Sequence, residues 1–194
     1  MRISSSDRKE ALAGAVEQEL EALAARGVRM AGNAFSPIVL VKGELNADEL
    51  AGGELLAGAD GHALRAALGA IGYAPEDFCA LAAVAGPAQP GDAVAAAGEP
   101  LPPEVLHEAL EALDPEAVLL LDDAAARAMR DAYADALVVI EDFDTAMLKP
   151  GLIAPVLGRR VLALDGFEAA LNDPREKQRM WAYIKRLPPA GAPY

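Results

Sequence analysis

Apolar residues fall into two kinds of run along this chain. Some are short blocks without polar interruption, and others are longer stretches where they recur every three or four residues. The blocks within 36–42, 77–85, 117–122, 136–142 and 159–165 predict strands buried on both faces. Helical spacing predicts helices over 62–72, 103–113, 123–133 and 173–187, with Pro103 in a first turn, where its missing N–H costs nothing. An earlier helix is predicted over about 6–26. Ser6 or Asp7 caps it, Leu12, Val16, Leu20 and Leu23 share its apolar face, and Gly27 ends it. The stretch LKPGLIAPVLG (148–158) reads as an irregular connection.

Apolar blocks alternating with helices predict a mostly parallel sheet with helices on both faces. The expected architecture is a three-layer α/β/α sandwich with about four to five strands, forming a single domain over 1–194. Two segments break the pattern. The acidic, Gly-rich stretch 43–61 reads as a solvated loop in which Asp48 and Glu49 offer capping carboxylates. The Pro- and Gly-rich stretch 86–103 reads as a long surface loop, the segment expected to be most mobile.

Ligands of such sheets bind beyond the C-terminal ends of the strands. Those ends are predicted at Lys42–Glu44, Asp122–Asp123, Glu141–Asp142 and Asp165, so the expected mouth is acidic. Glu44, Asp48, Asp122, Asp142 and Asp165 are therefore the ligand-binding candidates. The simplest role of Asp122 and Asp123 is to cap the helix 123–133, and Asp165 can cap the turn GFEAAL. A second reading has carboxylates at these ends binding a divalent cation. Asp142 and Asp144, after an apolar block, resemble the nucleophile motif of haloacid-dehalogenase-type phosphatases. That motif belongs near an N-terminus, and Ala146 stands where it has Thr or Val. The pair is read as the end of a strand.

Composition narrows the partners. Apolar residues make up 53% but aromatics only 5%, so the core must pack through small side chains. A net charge of −13 opposes binding to nucleic acid and favours a basic protein partner. Cys79 is the single cysteine, which rules out an internal disulfide, a cysteine zinc site and an iron–sulfur cluster held by one chain. Its apolar surroundings predict a buried, inert thiol. His62 and His107 fall on helices and make a poor metal site by themselves. Arg175, Lys177, Arg179, Lys185 and Arg186 give the last helix a solvated basic face, with Met180, Trp181 and Ile184 expected to point inward. The first residues are polar and no stretch is long and apolar enough to span a bilayer, so no membrane and a cytoplasmic location are expected.

ADELAGGELLAGADGHALRAALGAIG (47–72), followed by PEDFCALAAV, resembles the uracil-DNA glycosylase superfamily, specifically its bacterial iron–sulfur branch. Gly53, Gly58, Gly61, Leu64, Leu68, Ile71 and Gly72 are in register with that family's pattern. PLPPEVLHEALEALDPEAVLLLDDAAARAM and VLALDGFEAALNDPREKQRMW resemble later family segments in the same order, with Leu171, Pro174, Lys177 and Trp181 in place. The similarity covers roughly 37–187. It implies a glycosylase-like fold and a pocket where an extruded base is cut from its sugar.

The departures fall on the chemistry. Leu45 and Asn46 replace the Pro and Gly of the first motif, and Ala82 replaces the uracil-reading Asn. A methyl group cannot give the bidentate amide contact that reads a base edge. Gly166 and Phe167 replace a His-Pro pair whose His would donate to the leaving base, and cluster cysteines align with Gly86 and Ala109. The resemblance therefore implies lost glycosylase activity, no iron–sulfur cluster, and a binding or protein-interaction role. The alternative is a divergent metal-dependent hydrolase of a nucleotide-like or phosphorylated small molecule, built on Asp122, Asp142 and Asp165. A third reading is weak single-stranded DNA binding through the last helix.

Overall fold

The computed structural model describes residues 5–191, with side chains from Glu10 onward. In chain order the strands are β1 (Met30–Gly32), β2 (Ile38–Lys42), β3 (Cys79–Ala82), β4 (Ala117–Leu120), β5 (Ile153–Val156) and β6 (Arg159–Ala163). The helices are α1 (Ser5–Ala25), α2 (Ala47–Leu50), α3 (Ala59–Ala70), α4 (Pro103–Leu113), α5 (Asp123–Ala132), α6 (Ala134–Leu137), α7 (Phe143–Ala146), α8 (Phe167–Ala170) and α9 (Pro174–Ile184). All strands join one sheet, ordered β1-β3-β2-β4-β6-β5. The four inner strands are parallel, and β1 and β5 close the edges antiparallel to β3 and β6.

Successive residues of a strand face opposite sides of the sheet, and here each side has its own core. Val39, Val41, Leu81, Val118 and Leu120 pack with Leu23 of α1, Leu106 and Leu110 of α4, and Met129 of α5. Ile38, Leu40, Ala80 and Leu119 pack with Leu64 and Leu68 of α3, Phe167 of α8, and Met180 and Ile184 of α9. The unbroken apolar blocks are explained by burial on both faces, and the result is a three-layer α/β/α arrangement.

The sheet has six strands, more than the four to five expected. Both edge strands escape a periodicity reading. β1 is three residues long. β5 carries Pro155, which only an edge tolerates because it cannot donate to a ladder. The predicted irregular connection 148–158 thus contains a hairpin, turned by Leu157 (φ 47°) and Gly158 (φ 84°) in the left-handed pair that suits a two-residue loop.

The predicted strand 136–142 is not one. Its first residues finish the one-turn helix α6, the rest is turn and bend, and α7 follows at Phe143. β6 is paired by β4 on one side and β5 on the other, so this apolar run has no edge to join there. Leu137 is buried, whereas Val138 and Val139 are exposed. Leu12 is exposed too, against expectation. Among the described side chains of α1, Leu20 and Leu23 in its C-terminal part pack against the core.

Residues 86–102 hold no helix and only a single bridge, Val84 to Pro100, and the predicted loop ends one residue earlier because Pro103 starts α4. Its backbone is laced to the end of α1 by Gly86 N to Gly27 O (2.8 Å), Gln89 N to Ala25 O (3.0 Å) and Val94 N to Arg26 O (3.2 Å). Leu101 N reaches Ala83 O at 2.9 Å, beside β3. Among the described residues, no helix is long and apolar enough to cross a membrane.

Cys79 lies in the core at 1% exposure, and burial pushes its thiol pKa up to about 11. A neutral, inaccessible thiol is a poor nucleophile. Cys79 should therefore not react with Ellman's reagent in the native protein and should react fully in guanidinium chloride. Rapid reaction of the native protein would contradict the packing of β3.

Candidate functional site

β2 ends in Lys42, which shares its parity with Ile38 and Leu40 and so turns toward the α3–α8–α9 side. The residue is 2% exposed. Its ammonium contacts Glu49 Oε2 at 2.7 Å, Asp60 Oδ2 at 2.7 Å and Glu168 Oε2 at 2.8 Å. An ammonium has three N–H donors, and all three are engaged. Burial alone would lower the pKa of Lys42, but hydrogen bonds to Asp60, Glu168 and Glu49 outweigh it and hold the pKa above the ordinary lysine value. Lys42 is a cation at neutral pH and no nucleophile.

Each partner is placed by local structure. Asn46 and Glu49 form a capping box on α2: Asn46 N donates to Glu49 Oε2 (2.9 Å) and Glu49 N to Asn46 Oδ1 (3.0 Å). The other oxygen of Glu49 accepts from Leu56 N at 2.8 Å. Leu56 is fully buried and sits in the left-handed region at φ 54°, an uncommon conformation that delivers this amide. Asp60, in the first turn of α3, accepts from Gly61 N through its second oxygen. Glu168, on α8, is the most accessible partner.

Asp122 closes the other side. At the end of β4 it caps α5 through Ala125 N (2.8 Å) and also accepts from Gly43 N (2.9 Å) and Glu44 N (3.0 Å). One buried carboxylate therefore holds the turn after β2 against the start of α5. Position 43 admits only glycine at this approach, because a Cβ there would lie 2.5 Å from Ala125 N.

Above these groups lies a cavity of about 330 Å³, lined by Lys42, Glu44, Leu45, Asn46, Asp60, Asp122, Gly166, Phe167 and Glu168 among others. It brings the consecutive residues Glu44, Leu45 and Asn46 together with Asp122 and Gly166, which are distant in sequence. The other predicted positions lie elsewhere. Ala82 is fully buried in the sheet core and does not line the cavity. Asp48 is exposed on α2, and Glu49 is buried, not solvated as expected. Asp165 does not cap the following turn. It pairs with Arg179 at 3.2 Å, and Gly166 (φ 73°) occupies the cap position with no side chain to offer.

Asp142 is not at a strand end, because there is no strand. It caps α7 through Thr145 N (2.8 Å) and Thr145 Oγ1 (2.6 Å), and these bonds hold its carboxyl below the usual range. Asp144 pairs with Lys149 at 2.7 Å. Asp123 forms an exposed pair with Arg127 and leaves the capping to Asp122. Among the described residues, no group of three or more His, Cys, Asp or Glu side chains is arranged to hold a metal ion. Trp181 is partly exposed, while Met180 and Ile184 are buried. It borders a small apolar recess beside Phe167 and Leu171.

The lysine network leaves little mark on the sequence: a lysine ending an otherwise apolar block, with carboxylates near the starts of short helices. One ammonium meets the carboxylates of Glu49, Asp60 and Glu168, and Asp122 and Glu44 also line the cavity, so acidic side chains outnumber the cation there. No protein-family model matches the chain, and no curated protein matches it.

Proposed function

We propose that this chain is a uracil-DNA glycosylase-like scaffold without base-excision chemistry, serving as a binding and protein-interaction module. The observation that carries this reading is the Lys42 network. Cutting a base from its sugar builds negative charge on the departing base, and catalysts stabilise it with preorganised donors. Lys42, the cation among the described residues that line this mouth, is already engaged by Glu49, Asp60 and Glu168. Asp122 is committed to backbone amides, and position 166 has no side chain. A negative floor also repels a nucleic-acid backbone. In this reading the protein needs no iron–sulfur cluster, and its partner is a protein with a basic surface.

The alternative hydrolase has less support, since Asp142 and Asp165 lie outside the cavity that Asp122 lines. The test is uracil release. Single- and double-stranded uracil-containing DNA incubated with the protein and then treated with alkali should show no strand cleavage above the protein-free control. Cleavage that scales with protein concentration would overturn the reading.

A further inference from the structure

Exposed large apolar side chains gather on one face of this molecule. Val138 (78% exposed), Val139 (76%) and Phe143 (70%) lie there with Met147 and Leu157, also exposed. Val138, Phe143 and Met147 line a depression of about 350 Å³, Val139 and Leu157 line its neighbour, and Ala134 belongs to both. Soluble proteins rarely leave such side chains contiguous without a partner. The face is built: Leu137 and Leu148 are buried at its two ends, Arg130 Nη1 donates to Met147 O at 3.2 Å, and Asp142 caps α7.

Charge selects the occupant. Glu104, Asp131 and Asp135 line one depression and Glu141 the other. Among the described residues, none of these four carboxylates has a hydrogen bond or ion pair through its side chain. Arg130 lines the depression that holds Glu141 and balances it, and Lys149 is paired with Asp144, so the acidic character of the face comes from Glu104, Asp131 and Asp135 beside it. A second copy would place the same acidic rim against itself, across an interface where each chain carries −13. Nucleic acid and anionic lipid meet the same repulsion. The residues lining the Val138 depression come from helices and turns, so an extended segment seated there would leave its backbone unpaired, whereas a helix satisfies its own.

We propose that this face docks an amphipathic helix of a partner protein, with large apolar side chains seated on Val138, Phe143 and Met147 and Lys or Arg residues against the acidic rim. The proposal rests on the interaction-module reading and names its surface. The probe is a synthetic helix of about 18 residues, Leu on one face and Lys elsewhere, titrated into the ¹⁵N-labelled protein. Amide shifts should concentrate at 130–147 and 157. Phe143→Asp should weaken binding about tenfold or more, although it adds a negative charge that would strengthen purely electrostatic attraction. Val138→Asp should do the same. Both positions are exposed, so an unchanged circular dichroism spectrum confirms that the fold persists.

A peptide with Ser in place of Leu should lose most of its affinity. Shifts scattered elsewhere, or aspartate variants that bind as tightly as the wild type, would overturn the proposal. So would self-association in sedimentation that Phe143→Asp abolishes. Uracil release reports on the cavity alone, so failure here leaves that test unaffected, and uracil release would sink the broader reading whatever the peptide does.

Discussion

Lys42→Met lowers the unfolding free energy by about 3–5 kcal/mol, read as a fall in the urea midpoint with little change in slope. Removing the ammonium leaves Glu49 and Asp60 buried together without a countercharge. Glu168 is accessible enough to turn toward water, so the penalty falls on the other two. Uncompensated buried charge is among the few single changes that approach the whole stability of a domain. Neutralising the partners separates charge from shape. In Lys42→Met/Glu49→Gln/Asp60→Asn the amide oxygens can keep the capping box and the bond from Gly61 N, but Gln has no second acceptor for Leu56 N, so only part of the loss should return. If Lys42→Met alone costs less than about 1 kcal/mol, the network is not what holds this mouth together.

The same residue sets part of the alkaline limit. Lys42 has a folded pKa raised above its ordinary 10.5. Its contribution is fully present below that value and is lost as pH rises through the folded one. Cys79, raised from 9.0 to about 11, and the buried phenols Tyr73 and Tyr133, raised above 10.0, act with the same sign. Above these ordinary values the unfolded chain releases protons that the folded chain retains. Stability against urea should therefore begin to fall near pH 9 and fall more steeply above pH 10. In Lys42→Met the steep part should be shallower by one proton's share.

The parallel core was legible in the sequence because burial on both faces leaves a direct mark, an apolar block with no alternation. The edges were not, since a three-residue β1 and a proline-bearing β5 carry no such mark. Residues 136–142 show the reverse failure. Val138, Val139 and Ile140 look like a buried strand, but apolarity alone does not say whether a run faces the core or the outer surface. The convergence of Glu44, Leu45, Asn46, Asp122 and Gly166 was legible to the extent that topology sets it, because strand ends in a parallel sheet share one rim. The grouping of Lys42 with Glu49, Asp60 and Glu168 was not. Which carboxylates surround a buried lysine depends on how α2, α3 and α8 pack, and nothing in their spacing encodes it.

Gly61→Ala is expected to cost about 3 kcal/mol, whereas Gly69→Ala, in the same helix, should stabilise by about 0.5–1 kcal/mol. Helix propensity favours alanine at both sites, so only the surroundings set the sign. A Cβ at Gly69 meets nothing within 4 Å. At Gly61 it would lie 1.7 Å from the carbonyl oxygen of Leu56 and 2.6 Å from its carbon. That obstacle is backbone, and it cannot swing aside as a side chain could. Leu56 is also fully buried, and its amide is bound to Glu49, itself bonded to Lys42. Pushing Leu56 away from α3 must therefore either loosen Glu49 or shift the start of α3 with Asp60. Both routes reach the ammonium. Gly61→Ala and Lys42→Met should accordingly be non-additive in the double variant, each having already damaged part of what the other removes. Equal signs for the two glycine variants, or simple additivity with Lys42→Met, would mean that the 53–58 segment gives way without disturbing the charged mouth.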